Sequence, residues 1–249
     1  MLSVKKTITP EFFSSQSFPV ELGVTTRDAS FFFSGIPDLL DPKKISSLSE
    51  CFPEFRKTVF PEQVHGSKVK FLHEKDLQKD ATPLHMIPKA DGLLTSTPEV
   101  TLAILTADCL PIFFLVPDPL AIGIVHAGWR GSAAAIARTA VEKLRHFTHQ
   151  SPEKFLVAFG PCIKVCCYQV GEELTGLFWD SVVRREGVPY LDLAKENRHQ
   201  LEKAGIKARN MGDVPSCTAC HPEIFYSHRR EKEKAGRMIS WIRLKSMLS

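Results

Sequence analysis

Apolar positions are unevenly spread along the chain. Residues 27 to 57 are polar and punctuated by Pro37, Pro42 and Pro53, whereas residues 100 to 127, VTLAILTADCLPIFFLVPDPLAIGIVHA, hold three continuous apolar runs. Short runs of this kind, bounded by turn residues, suit strands buried on both faces. The second run (110–116) and the third (121–126) flank PDPL, a tight-turn composition, and so read as the arms of a hairpin at the centre of a sheet. Further strands are expected at 19–26, 67–72, 90–96, 153–161 and 236–244. Ala133, Ile136, Ala137, Ala140, Val141, Leu144 and Phe147 recur at helical spacing, which predicts one amphipathic helix over 130–147. Residues 171–183 and 191–205 also read as helices. The alternation predicts an α/β fold with helices layered on a mixed sheet.

Composition narrows the class of protein. A chain of 249 residues with 43% hydrophobic and 24% charged residues can bury a large core, as one large domain or two small ones, without disulfides. The net charge of +4 is dispersed along the chain, which argues against nucleic acid as a partner. No segment approaches the roughly 18 apolar residues needed to cross a bilayer. The start, MLSVKKTITPEFF, lacks the apolar core of a signal peptide, so a cytoplasmic location is expected. In that reducing compartment the seven cysteines are thiols or metal ligands.

Pairing the hairpin arms around Asp118 and Pro119 sets Pro111 opposite His126 and Cys109 opposite Gly128. A thiol and an imidazole therefore meet at the open end. Together they suit either a borderline-soft ion such as Zn²⁺ or a nucleophilic cysteine whose pKa the histidine lowers. The plain alternative is two core residues. Three neighbours argue against it. Asp108 is costly to bury without a task, and is a candidate for proton transfer or for orienting a ligand. Arg130 falls in the first turn of the next helix, where free N–H groups and the dipole favour an anion, and Gly128 and Gly131 let a ligand approach the backbone. Trp129 reads as core. His65, at a turn before a strand, is one candidate for a third ligand, while His73, His85, His146, His149, His199 and His228 read as surface residues.

CTACH (217–221) has the form of a haem-attachment sequence or half a zinc ribbon. Haem attachment requires export, and Cys162, Cys166 and Cys167 in CIKVCC are poorly spaced as a second zinc pair, so both readings are set aside. The VCCY pair is expected to be buried or to line the site.

An ordered series of motifs carries a resemblance. QVHG (63–66), ADGLLT (90–95), TADCLPI (106–112), HAGWRG (126–131), GPCIKVCCYQVGEEL (160–174), LDL (191–193), CT (217–218) and FYSHRR through GRM (225–238) resemble the landmarks of the YfiH-type multicopper polyphenol oxidase (laccase-like) family, understood as purine nucleoside phosphorylases. The resemblance spans residues 58 to 244. It implies a single domain, 1–249, related to the catalytic domain of cytotoxic necrotizing factor, with a divergent segment at 1–57 where TTRDASFFFSG replaces a Gly-rich landmark. It implies Zn²⁺, with copper as a second fit, held by His65, Cys109 and His126. That ligand set beside a helix start suggests in turn Gly128 and Arg130 at the substrate and Asp108 and Arg130 in catalysis. The implied activity is phosphorolysis of adenosine, inosine, guanosine and methylthioadenosine, with deamination of adenosine, by a monomer or homodimer. The rivals are a metal-free cysteine hydrolase or deamidase using Cys109 and His126, a copper-dependent phenol oxidase, and a non-catalytic metal-binding protein. Nine scattered histidines count against a multicopper centre.

Overall fold

The computed structural model describes residues 7–8, 18–27, 41, 57–77 and 84–246. Most of the divergent segment 1–57 lies outside these residues. In chain order the strands are β1 (Thr7–Ile8), β2 (Val20–Thr25), β3 (Thr58–Pro61), β4 (Val69–Leu72), β5 (Leu84–Ile87), β6 (Gly92–Thr95), β7 (Thr101–Thr106), β8 (Leu110–Pro117), β9 (Leu120–Ala127), β10 (Leu156–Phe159), β11 (Val182–Arg185), β12 (Val188–Leu191), β13 (Met211–Asp213) and β14 (Met238–Leu244). The helices are α1 (Glu74–Leu77), α2 (Trp129–Ala133), α3 (Ile136–Thr148), α4 (Leu193–Lys203) and α5 (His228–Glu231).

The strands form two six-stranded mixed sheets, ordered β1-β2-β14-β7-β3-β5 and β13-β10-β8-β9-β6-β4, and β11 and β12 form a separate hairpin. The three apolar runs therefore do not share one sheet. The β7 run belongs to the first sheet, and β8 and β9 belong to the second. Side-chain alternation explains how both faces of β8 and β9 come to be buried. Leu110, Ile112, Phe114, Val116 and Val125 face the helices, packing with Ile136, Ala137, Ala140, Val141 and Leu144 of α3 and Leu201 of α4. Phe113, Leu115, Ile122 and Ile124 face the first sheet, against Leu22, Val24, Leu102, Ile104 and Ile242. The result is three layers: sheet, sheet and helices. Burying Ile136, Val141 and Leu144 stabilises α3 by roughly 1.5–3 kcal/mol each.

The hairpin register is the one its turn composition demands, with Pro111 paired to His126 and Leu110 to Ala127. Two expected helices differ. The helix over 130–147 is broken into α2 and α3 at Ala135, which adopts a left-handed backbone with φ of 56°. The alanine run favours a continuous helix, but tertiary contacts hold the end of α2. Gln200 Nε2 donates to the Ser132 carbonyl at 2.7 Å and Asn197 Nδ2 to the Ser132 hydroxyl at 2.8 Å. Residues 171–183 form only 3₁₀ turns at Glu172–Leu174 and Trp179–Ser181 before the chain enters β11. Leu174 and Phe178 are buried there in a small cluster of their own, while Trp179 stays 79% exposed, so no continuous helical face is buried.

Candidate metal centre and pocket

His126 stands one residue before the end of β9, in the row of side chains that includes Ile122 and Ile124, on the face between the two sheets. At this end the sheets part into a cavity of about 590 Å³, bordered by Leu105 and Ala107 at the end of β7 and by the β7–β8 connection. His65, Cys109 and His126 all line it, and their ligand atoms lie within 4.8 Å of one another. The two imidazole rings meet edge to face, with centroids 4.9 Å apart and planes at 77°. His126 is buried, Cys109 half-buried and His65 exposed to the cavity side.

The carboxylate behind this trio is Asp91, which the sequence reading did not single out although it stands in ADGLLT. It is fully buried. Oδ1 accepts from His126 Nδ1 at 2.9 Å and from the His65 backbone N–H at 2.9 Å. Oδ2 accepts from Gly66 N–H at 2.7 Å and Val64 N–H at 3.2 Å. One carboxylate thus aims the His126 ring and closes the loop that carries His65 in a left-handed conformation, with φ of 59°. Gln63 ties the same loop to β7, giving to and taking from the Leu105 backbone at 2.8 Å each way. Gly131 is needed where α2 crosses the loop, since a Cβ there would lie 2.9 Å from the Gly66 carbonyl oxygen.

The electrostatics follow from this arrangement. Burial pushes the Cys109 thiol up, but His126 and His65 outweigh it and bring the pKa down to about 6. Burial pulls His126 down, but Cys109 and Asp91 outweigh it and raise it to about 9. Burial likewise pushes Asp91 up, and the bonds from His126, Gly66 and Val64 hold it below the ordinary carboxylate range. Cys109 is therefore poised as a thiolate at neutral pH.

This donor set fits a metal. With Nδ1 of His126 engaged by Asp91, Nε2 is left for a ligand role, and one thiolate with two imidazoles and an open side is a donor set that catalytic Zn²⁺ takes. A carboxylate on the far ring nitrogen is the partner a metal-bound histidine usually has.

Asp108, the sequence candidate for proton transfer, is buried with φ of 87°. Its oxygens accept from Thr218 Oγ1 at 2.6 Å, Ser227 Oγ at 3.0 Å and Arg229 N–H at 2.6 Å. The carboxylate is spent on fixing the turn before Cys109 and the start of α5; the contact to His126 belongs to Asp91. Arg130 lines the cavity with its guanidinium over the Trp129 ring, 4.4 Å from the centroid. The helix whose first turn holds it, Trp129–Ala133, is only five residues long, so the positive end expected of a full amphipathic helix is reduced to one turn. Gly128 adopts an ordinary extended backbone, and a Cβ there would lie 2.9 Å from the Cys109 sulfur.

Trp129 and His228, read from the sequence as core and surface residues, also line the cavity, together with Tyr168, Arg229 and Arg237. The Arg229 guanidinium lies over Tyr168, 5.3 Å from the ring centroid. Arg230 instead points away, donating to the carbonyls of Thr218, Ala219 and Phe225. The signal for Arg229 is present in FYSHRR, but which of two adjacent arginines faces the cavity depends on where Ser227 caps α5.

The fold and site together define an α/β protein with two histidines and one cysteine arranged so that they could hold a metal ion at the mouth between two sheets. Residues 45–245 match the family described as multi-copper polyphenol oxidoreductase laccase, and the chain belongs to that family. It is 35% identical over 202 residues to the purine nucleoside phosphorylase YlmD of Geobacillus stearothermophilus, covering 77% of this chain and 73% of that protein. It is 30% identical over 197 residues to adenosine deaminase RL5 of an unknown prokaryotic organism, covering 74% of each. The crystal structure of YfiH from Bacillus licheniformis superposes with a TM-score of 0.84 at 26% identity, covering 98% of both chains. No helix among the described residues is long and apolar enough to cross a membrane.

Proposed function

We propose that the chain is a single-domain, zinc-dependent purine nucleoside phosphorylase acting on adenosine, inosine, guanosine and methylthioadenosine, with adenosine deaminase activity. The observation that carries this reading is the convergence of His65, Cys109 and His126 at the edge of a nucleoside-sized cavity bordered by three arginines, Arg130, Arg229 and Arg237. Its nearest support outside the chain is the pair of activities named for YlmD and RL5.

Zinc held by the three ligands supplies a Lewis-acid charge at the cavity wall. The chain's own groups do the rest. Arg130 and Arg229, each backed by an aromatic ring, present guanidinium forks suited to phosphate. Trp129 and Tyr168 offer faces for a purine. In phosphorolysis a phosphate oxygen bonds to ribose C1′ as the bond from C1′ to the purine nitrogen breaks, and the arginines hold the phosphate in line as positive charge grows on the sugar. Asp108 acts as a positioning residue, since it fixes both Cys109 and Arg229. Gly128 leaves the room in which the Cys109 sulfur sits.

Among the described residues, the only other cluster able to hold a metal is made of cysteines, and no group of several histidines exists beyond His65 and His126. That composition speaks against copper-dependent phenol oxidation. The lowered Cys109 thiol favours a second reading, a metal-free cysteine hydrolase.

Incubating the purified protein with adenosine and phosphate tests both. Adenine with ribose 1-phosphate, and inosine with ammonia, are the expected products, with both activities lost in His65→Ala together with the zinc of the cavity site. If neither product forms at any metal loading the proposal fails. A metal-free protein inactivated by alkylation of Cys109 establishes the thiol reading instead.

A further inference from the structure

Behind the cavity wall lies a cluster the function above does not use. The sulfurs of Cys166, Cys167, Cys217 and Cys220 lie within 4.8 Å of one another. Cys220 Sγ is 3.3 Å from Cys167 Sγ and 3.5 Å from Cys166 Sγ. Four thiolates around one zinc at about 2.3 Å stand roughly 3.8 Å apart at the corners of a tetrahedron, so the observed spacing needs little adjustment. We propose that Cys166, Cys167, Cys217 and Cys220 form a second, closed metal site that takes Zn²⁺ and braces the wall of the cavity.

The sequence argues against this pairing because CIKVCC is a poor partner for CTAC by spacing. The fold supplies the partnership. The carbonyl of Cys162 accepts from Thr218 N–H at 3.1 Å, which lays the two loops side by side. Cys162 itself is sealed in the core, where burial pushes its thiol up to about 12, and it takes no part.

Three further features suit a bound thiolate. The Lys164 backbone N–H donates to Cys217 Sγ at 3.4 Å, and, against burial, backbone N–H groups of Lys164, Cys220 and Ala219 hold that thiol below its ordinary pKa. Such N–H groups stabilise negative charge on sulfur and leave its other side for a cation. A four-thiolate zinc centre carries net negative charge, and guanidinium groups stand around it on backbone carbonyls: Arg230 donates to those of Thr218 and Ala219 at 3.0 and 2.9 Å, Arg185 to that of Cys166 and Arg229 to that of Cys167 at 3.5 Å each. Finally, no side of the cluster borders the cavity, as suits a site that closes with four protein ligands.

The bracing role follows from what the two loops carry. Tyr168 follows Cys167 directly and lines the cavity. Thr218, between the two ligands of CTAC, donates to Asp108, whose other oxygen holds the Arg229 backbone.

Zinc counted per chain in the full-length protein tests the proposal. The expected contents are about two zinc ions in the wild type, and about one each in His65→Ala and in the Cys217→Ser/Cys220→Ser double variant. X-ray absorption at the zinc edge of the His65→Ala protein reads the remaining site without touching the cysteines, and a sulfur-only shell at about 2.3 Å is expected. One zinc in the wild type that is kept in the double variant overturns the proposal. So does a nitrogen or oxygen shell in His65→Ala, or recovery of these cysteines as disulfides from the freshly isolated protein.

Discussion

The two sulfur clusters differ in every respect that decides what a metal site is for. His65, Cys109 and His126 mix nitrogen and sulfur, are anchored by a buried carboxylate, and face a cavity. The four cysteines are all sulfur, are steadied by backbone N–H groups and nearby guanidiniums, and face no cavity. Three ligands with an open side suit chemistry on a small molecule, while four thiolates suit a brace. The lesson is that the surroundings of a cysteine, more than its presence, separate the two uses.

The sharpest way to break this contrast is at Asp91. Asp91→Ala strips the partner from His126 Nδ1 and from three backbone N–H groups. Because the pair is buried, a loss of about 3–5 kcal/mol in stability is expected, with zinc affinity at the cavity lowered roughly 10–100-fold. Thermal unfolding and zinc titration measure both, and the four-cysteine site should keep its metal. An Asp91→Ala protein with unchanged zinc affinity would remove the carboxylate from the account.

Next comes Gly128→Ala, which sets a methyl group 2.9 Å from the Cys109 sulfur on a backbone that any residue can adopt. Displacing the thiolate should cost roughly 100-fold in kcat/KM, while the melting temperature hardly moves. Steady-state kinetics on adenosine beside a thermal melt separates the two.

Acidity offers a third contrast. His126 keeps its proton up to about pH 9 and Cys109 has lost its own above about pH 6, so in that window zinc entry expels one proton from this pair. Cavity-site affinity should fall about tenfold for each unit of pH lost, and more steeply below pH 6 as the thiolate protonates. Burial pushes Cys166 up to about 11 and Cys167 higher still, so the four-cysteine site expels more protons and its slope should be steeper. Zinc titrations of His65→Ala and of the Cys217→Ser/Cys220→Ser variant at several pH values compare the slopes; equal slopes would erase the distinction.

The smallest expected effect is at Arg130, exposed and, among the described residues, held only over Trp129. Arg130→Ala should raise KM for phosphate roughly tenfold, the loss of a charge-assisted contact of about 1.5 kcal/mol. Adenosine deamination, which uses no phosphate, should be untouched, so parallel assays expose any wider damage.

Much of this was legible before any fold was known. PDPL between two apolar runs dictates the β8–β9 register, and with it the meeting of Cys109 and His126. The long alanine-rich helix misled because propensity is local, while Gln200 and Asn197, which hold Ser132 and let the chain turn at Ala135, come from another helix. Asp91 stood in plain view in ADGLLT, but nothing in that motif says that β6 pairs with β9 and so delivers it to His126.

What the sequence alone determined, then, are the long apolar strands, the hairpin and the Cys109–His126 encounter, because hydrophobic period and turn chemistry act over a few residues; the short strands β3, β5, β11, β12 and β13 carried no such period. The layering of two sheets, the approach of Asp91 and His65, the facing of Arg229 rather than Arg230, and the union of CIKVCC with CTAC were decided by tertiary structure. Each depends on which distant segments share a sheet edge or a core face. That choice is made by burial of the whole apolar surface at once, and no local spacing records it.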